Sequence, residues 1–379
     1  MLNNCYTEDN YYITTYFTGG RLGNQYFQIA TILSLSYDIS KIFKIKCKPV
    51  FPHLKDKNNW VSQPKKWDGI HIDLWGVKPE EVFYNKYQHN KKGPYKNIDI
   101  SDNLECHKYL MIHEKDRINK TTRQFAVYIG KLLLKSPNKR VILLPMAPYS
   151  YFKLIFIKKR SKNFGMPGYQ YYKLWHHNYD LVKKHLLPNT IIKNKLKSKF
   201  NKIIKTKFPD FNWNDDNCSL HLRRGDRQNY FSKGGFLFPI YGTKQYYQKA
   251  IKKMERLVKG VKYYIIFTEN SSWADNFIKT NLGDIYDKIF IMDWKLYKQT
   301  DFEDLYLMSY IKNNIIINSS FSWWGAYLNE NPNKKIITTK KWANFTKIIG
   351  DSRYINIIPK NWYIIENKMT KKNILVKYN

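Results

Sequence analysis

The stretch Val261-Lys-Tyr-Tyr-Ile-Ile-Phe-Thr-Glu-Asn-Ser-Ser-Trp-Ala-Asp-Asn-Phe-Ile-Lys-Thr-Asn-Leu-Gly-Asp-Ile-Tyr-Asp-Lys-Ile-Phe-Ile-Met292 decides the fold class. Its first seven residues are a short apolar run of the kind buried on both faces of a sheet. Trp273 to Leu282 follows with helical spacing, and Lys288 to Met292 is a second buried-type strand. The same alternation continues outward. Cys218–Leu222 reads as a strand and Tyr246–Val258 as a helix. Phe302–Ile311 is a helix, Asn314–Asn318 a strand, Trp323–Leu328 a helix and Lys335–Thr338 a strand. Strands that alternate with helices predict a parallel, doubly wound α/β sheet. Ligands of such sheets bind beyond the carboxyl ends of strands.

The first half carries one copy of the same pattern. Tyr11 to Phe17 is β-rich and runs into Gly19-Gly20. Phe27, Ile32, Leu35 and Ile39 then recur at helical spacing from Asn24 onward. Residues 49–130 show little period, with one candidate strand in Trp67–Trp75, and residues 168–186 read as helical. From 191 to 211 the chain is strongly basic. Ile192, Leu196, Phe200, Ile203 and Ile204 fit one apolar stripe. This is a surface helix with a solvated lysine face, and the same face suits an anionic membrane. The domain boundary is placed just after it: 1–210, then 211–365, then a basic tail at 366–379.

Composition bounds the possibilities. With 379 residues, 43% hydrophobic and 25% charged, the chain has material for two folded domains and is no disordered polymer. Lys and Arg number 65 against 30 Asp and Glu, a net charge of +35. That excess fits nucleic acid, an anionic membrane or an acidic substrate, and it also fits drift toward Lys, Asn, Ile and Tyr. No apolar run reaches the roughly 18–20 residues of a membrane span. The N-terminus lacks the basic and apolar regions of a signal peptide. Cys5, Cys47, Cys106 and Cys218 are far apart, which argues against a zinc ribbon or a disulfide framework. The expectation is a cytoplasmic protein, possible contacts with a membrane being peripheral.

Unusual residues stand at the predicted strand ends. Gly19-Gly-Arg-Leu-Gly-Asn-Gln25 opens a helix, where glycines admit close backbone approach and the helix N-terminus favours an anion. Arg223-Arg-Gly-Asp226 follows the strand that ends in His221-Leu222, and arginine forks suit phosphate. Asn318-Ser-Ser-Phe-Ser-Trp-Trp-Gly325 is a second strand-to-helix turn rich in hydroxyls and free amides. Asp304 opens the preceding helix, where an acid also suits the dipole. No His, Cys or Asp cluster has metal-ligand spacing. Two anion turns and an arginine pair suit a diphosphate ligand whose charge is met by protein cations.

Three blocks also resemble a known family. Gly19-Gly-Arg-Leu-Gly-Asn-Gln-Tyr-Phe-Gln-Ile-Ala30, His221-Leu-Arg-Arg-Gly-Asp226, and Asp304-Leu-Tyr-Leu-Met-Ser309 with Asn318–Ala326 are similar to the α-1,2-fucosyltransferases, in the family's order. The resemblance covers residues 15–40 and 215–345. It implies a GT-B fold, two Rossmann-like domains facing across a cleft. It implies GDP-β-L-fucose as donor, a glycan acceptor, inversion, and neither cofactor nor metal. Arg223 would contact the diphosphate, with His221 and Arg224 beside it. Ser319, Ser320 and Phe321, flanked by Asn318, Ser322 and Trp323, would meet the diphosphate and ribose. Asp304 would accept from guanine N1 and N2 hydrogens. Gly20, Arg21, Gly23, Asn24 and Gln25 would lie near the fucose and β-phosphate. Asp226 is the first candidate base and Glu269 the second. Two positions depart from the family: Arg227 stands where Tyr is common, and Phe267-Thr-Glu-Asn270 replaces Phe-Ser-Asp-Asp. An O- or α-1,6-fucosyltransferase, a basic nucleic-acid-binding protein and a non-catalytic glycan-binding relative are the rivals. The second rival lacks any helix-turn-helix, finger or RNP pattern.

Overall fold

The structure is a computed structural model and describes residues 10–15, 22–49, 109–111, 121–135, 141–144, 172–223, 242–293, 295–342 and 357–366. The chain divides into two compact units, Met1–Asn189 and Thr190–Asn379.

In the first unit β1 (Asn10–Thr15) leads to α1 (Leu22–Phe43) and β2 (Lys46–Pro49). β3 (Tyr109–Met111), α2 (Thr122–Lys135) and β4 (Val141–Leu144) follow. Two short 3-10 turns, Tyr172–Leu174 and His176–Asn178, precede α3 (Tyr179–Leu186). The strands lie in the order β2-β1-β4-β3, and every pair is parallel. The helix read from Asn24 to Ile39 is longer at both ends. The helical stretch expected over 168–186 is broken before α3. There Asn178 turns its amide away from the helix, donating to Ser34 Oγ at 2.8 Å and to Asp38 Oδ1 at 2.9 Å. Thr122 Oγ1 donates to Asp38 Oδ2 at 2.5 Å, and His177 Nε2 lies 2.9 Å from the same oxygen. A buried carboxyl group is thus satisfied from two other segments, which ties α1 to the start of α2 and to the turn. The candidate strand at 67–75 lies outside the described residues.

The second unit opens with α4 (Thr190–Ile204). β5 (Cys218–His221), α5 (Lys244–Val258), β6 (Tyr264–Phe267), α6 (Ser271–Asn281) and β7 (Ile289–Met292) follow. Then come α7 (Asp301–Tyr310), β8 (Asn313–Ile315), α8 (Ser320–Tyr327), β9 (Ile336–Thr339) and β10 (Tyr363–Ile365). The sheet order is β10-β9-β8-β5-β6-β7, again all parallel. Leu220 pairs with Ile266 on one side and with Ile315 on the other. β5, β6, β8 and β9 are buried at every residue; β6 is a continuous apolar run, while the buried polar residues of β5 and β8 satisfy one another, Asn314 donating to Ser219 Oγ at 2.6 Å. Side chains start three of the helices. Thr243 accepts from Tyr246 N, Asn270 accepts from Trp273 N, and Thr300 forms a capping box with Glu303.

The boundary lies earlier than the sequence reading placed it. α4 belongs to the second unit and does not end the first. Leu196, Phe200 and Ile204 are its buried stripe, and Phe200 packs against Phe211, Trp213 and Phe290. Lys199 also pairs with Glu303 of α7 at 3.0 Å. Helices α7 and α8 approach closely at Gly325, where a Cβ would sit 2.9 Å from Met308 Cβ and 3.3 Å from the Leu305 carbonyl.

Candidate functional site

β5 is the first strand of its sheet and sits in the middle. Its successor β6 lies on one side, and β8, β9 and β10 lie on the other. The order therefore reverses between β5 and β8, and a crevice forms where connections leave a parallel sheet in opposite directions. β5 ends at His221 and runs on to Leu222-Arg223, and β8 runs on through Ile316-Ile317 to Asn318-Ser319. They are almost a hundred positions apart in the chain, and Arg223 Nη1 donates to Ser319 Oγ at 2.9 Å.

Local chemistry holds each end. Leu222 N donates to the Phe267 carbonyl at 3.0 Å, so pairing with β6 continues one residue past β5 and delivers Arg223 at the rim. Ser319 N turns back to the Ile317 carbonyl at 2.7 Å. Ser319 is also the N-cap of α8, yet its hydroxyl makes no capping bond. The hydroxyl serves Arg223 instead. The first intrahelical bond runs from Trp323 N to the Ser319 carbonyl at 2.9 Å, so the N–H groups of Ser320, Phe321 and Ser322 precede the ladder. Amides and an arginine together make an anion cradle.

Two residues missed in the sequence reading brace it. Tyr247 Oη donates to the His221 carbonyl at 2.9 Å, and Tyr246 Oη donates to the Ile316 carbonyl. Both tyrosines are buried on the first turn of α5. Adjacent tyrosines signalled only a helix, because a phenol bound for a strand end looks no different from core. Gly242 makes room for Tyr247: a Cβ there would meet its Oη at 2.5 Å.

The electrostatics are unequal. His221 is buried, its ring 5.7 Å from that of Phe321. Burial, helped by the charge of Arg223, pulls its pKa down to about 3, so the imidazole is neutral at ordinary pH. Its Nδ1 has no hydrogen-bond partner among the described residues. Asp304 lies in the first turn of α7 and is 8% exposed. Burial, with the charges of Asp301 and Glu303, pushes its carboxyl well above the usual range, and its Oδ1 is unpartnered among the described residues. A buried carboxyl with an idle oxygen favours its neutral form until donors arrive. Gln299, also buried, has an unpartnered Oε1 two positions before α7. Nothing in its residue type distinguished it in the sequence.

The other expected residues are placed as follows. Ser320 and Phe321 are half-buried on the first turn of α8. Asn318 donates to the Trp342 carbonyl at 3.0 Å, and Ser322 is buried with its hydroxyl 3.4 Å from the Ser319 carbonyl. Trp323 is a correction. It is fully buried, stacks on Tyr327 at 4.4 Å and donates Nε1 to the Ile357 carbonyl at 2.7 Å. It supports the turn from behind, because an indole of that size is held by its packing and its one donor is spent. Glu269 is exposed in the turn after β6. Gly23 is buried and Asn24 half-buried on the first turn of α1, where Gln25 also lies. Gly20, Arg21, Arg224 and Asp226 lie outside the described residues. Cys47 and Cys218 are buried free thiols. Among the described residues no three His, Cys, Asp or Glu side chains cluster as metal ligands, and no helix is long and apolar enough to cross a membrane.

Fold and site define a two-unit parallel α/β protein whose second unit carries an anion cradle at a strand-order reversal. The family model for glycosyl transferase family 11 matches residues 13–366, and the chain belongs to that family. It is 34% identical over 157 residues to the O-antigen biosynthesis glycosyltransferase WbnK of Escherichia coli, covering 38% of this chain and 45% of that one. It is 32% identical over 115 residues to an α-1,2-colitosyltransferase of Escherichia coli, covering 30% and 36%. The chain thus spans less than half the length of these curated relatives. Among solved structures it is similar to an Arabidopsis thaliana FUT1 mutant in complex with GDP, at TM-score 0.44 and 12% identity over 86% of this chain and 70% of that one. It is also similar to POFUT1 in complex with GDP, at TM-score 0.42 and 13% identity over 88% and 99%.

Proposed function

We propose that this protein transfers L-fucose from GDP-β-L-fucose to a glycan hydroxyl, the 2-OH of a terminal galactose-like sugar, with inversion and without a metal. The observation that carries the reading is the Arg223–Ser319 hydrogen bond across the strand-order reversal, at the open N-terminus of α8. Cleavage of the glycosidic bond leaves negative charge on the β-phosphate while the sugar ring becomes oxocarbenium-like. Arg223 and the amides of Ser320–Ser322 are oriented beforehand for that charge, and each such donor is worth about 3–4 kcal/mol in known cases. His221 is neutral and adds no charge. Asp304 offers an idle carboxyl oxygen to the guanine N1 and N2 hydrogens. Gly23, Asn24 and Gln25 are assigned to the sugar and β-phosphate, and Asp226, then Glu269, to the proton of the acceptor hydroxyl. The protein's own cations stand in this reading where a metal would otherwise balance the diphosphate.

The similarity to the α-1,2-colitosyltransferase favours a second reading, transfer of colitose to the same kind of hydroxyl. One experiment separates the two. The full chain is incubated with GDP-fucose or GDP-colitose and a panel of β-galactosides, with chelator present, and the product linkage is read by NMR. An α-1,2-fucosyl product supports the first reading. Transfer from GDP-colitose alone, or a product on a peptide hydroxyl, overturns it.

A further inference from the structure

We propose that the solvent face of α4 docks the protein on an anionic lipid bilayer. This rests on the basic helix and is independent of the donor-site reading. With Leu196, Phe200 and Ile204 committed to the core, the opposite side of the helix presents Ile191, Lys195, Ser198 and Lys202, and Lys205 follows one residue past its end, all exposed. The face runs the length of the helix, roughly 22 Å at 1.5 Å per residue.

The lysines of α4 fall into two groups. Lys193 and Lys199 are held by Glu330 at 3.4 Å and by Glu303 at 3.0 Å. Lys195, Lys202 and Lys205 have no acidic partner among the described residues. The paired ones secure the helix to its own unit, and the others leave three positive charges pointing outward. Lys197 lies between the groups. Its ammonium sits over the Trp213 ring at 4.7 Å and over the Tyr310 ring at 5.6 Å, half-buried and with no anionic partner among the described residues. A shallow groove runs along this flank, lined by Lys197, Lys202, Lys205, Ser198 and Trp213. Its chemistry is cationic and hydroxylic, which suits phosphate headgroups.

Two features favour a bilayer over a nucleic acid. Ile191 is 79% exposed at the start of the helix, an apolar side chain beside lysines that can snorkel. Single-stranded RNA would need free aromatic faces for its bases. Trp213 has none to spare, since Lys197 covers it and Phe200 and Phe211 pack at 5.2 Å and 5.3 Å.

The test is co-sedimentation of the full chain with vesicles of phosphatidylcholine alone or with about 30 mol% phosphatidylserine, at about 100 mM salt. Binding to the anionic vesicles and not to the neutral ones is expected. Each lysine near the surface is worth about fivefold, so Lys195→Glu, Lys202→Glu and Lys205→Glu together should weaken partition at least about 100-fold. The same three positions changed to Arg should keep it. Lys244→Glu, Lys249→Glu and Lys252→Glu on α5 impose the same charge change on another exposed surface and should cost less than about a tenth of that effect. Thermal unfolding confirms that each variant is folded. The proposal is overturned if the unmodified chain ignores anionic vesicles, if both Glu triples lose equally, or if the α4 triple loses RNA binding while keeping vesicle binding.

Discussion

The Arg223–Ser319 bond makes a quantitative prediction. The donor is a guanidinium, the acceptor is a hydroxyl only 2% exposed, and the separation is 2.9 Å. A hydrogen bond to a charged group contributes about 1.5–3 kcal/mol, which is about 10–150-fold in rate or affinity. Ser319→Ala should therefore slow transfer by that factor, because Arg223 loses the contact that aims it at the phosphate. Arg223→Lys should cost more, about 100- to 1,000-fold in kcat, since an ammonium cannot hold the serine and the phosphate together. In the Arg223→Lys background, Ser319→Ala should add little. The two losses should then fall short of additivity by about 1.5–3 kcal/mol. The assay is initial-rate fucosyl transfer for the four members of the cycle, with GDP affinity by calorimetry and thermal unfolding to confirm the fold. Wild-type turnover in Arg223→Lys, or strictly additive losses, would refute the assignment.

Three further outcomes are expected. Guanine donors reaching Asp304 should lower its raised pKa, so GDP binding should release a proton and tighten as pH rises; calorimetry in buffers of different ionisation enthalpy reads this, and Asp304→Asn should abolish the proton release. His221 has a folded pKa of about 3 against about 6.5 unfolded, so below pH 6.5 the unfolded chain binds the extra proton and stability falls as pH falls toward 3. The contribution is about 2 kcal/mol by pH 5, and unfolding midpoints of the wild type and His221→Asn should converge along that slope. Gly242→Ala should press on Tyr247 Oη, displace it from the His221 carbonyl and cost about 1–3 kcal/mol in chemical denaturation; an unchanged midpoint would contradict the bracing role.

Periodicity placed most elements of the second unit within a few residues because its strands are buried on both faces and its helices are capped by side chains close in sequence. It was weakest where long-range contacts override local preference. Asn178 breaks the 168–186 helix by bonding to Ser34 and Asp38, partners that no local window contains. β10 was not read at all; three half-exposed or exposed residues leave little pattern. Trp323 shows the limit of motif reading, since proximity to a functional block did not separate a side chain that faces the cradle from one that supports it.

The residues by themselves determined the α/β alternation, the serine turn after β8 and the arginine after the His221 strand, because these follow from local patterning and side-chain chemistry. Strand order was beyond their reach. Only the tertiary structure set β8 beside β5, and so brought Ser319 to Arg223. It also assigned α4 to the second unit and left Asp304 buried with an idle oxygen. The physical reason is common to all three: each depends on which surfaces far apart in the chain exclude water from one another, and a local pattern carries no record of that.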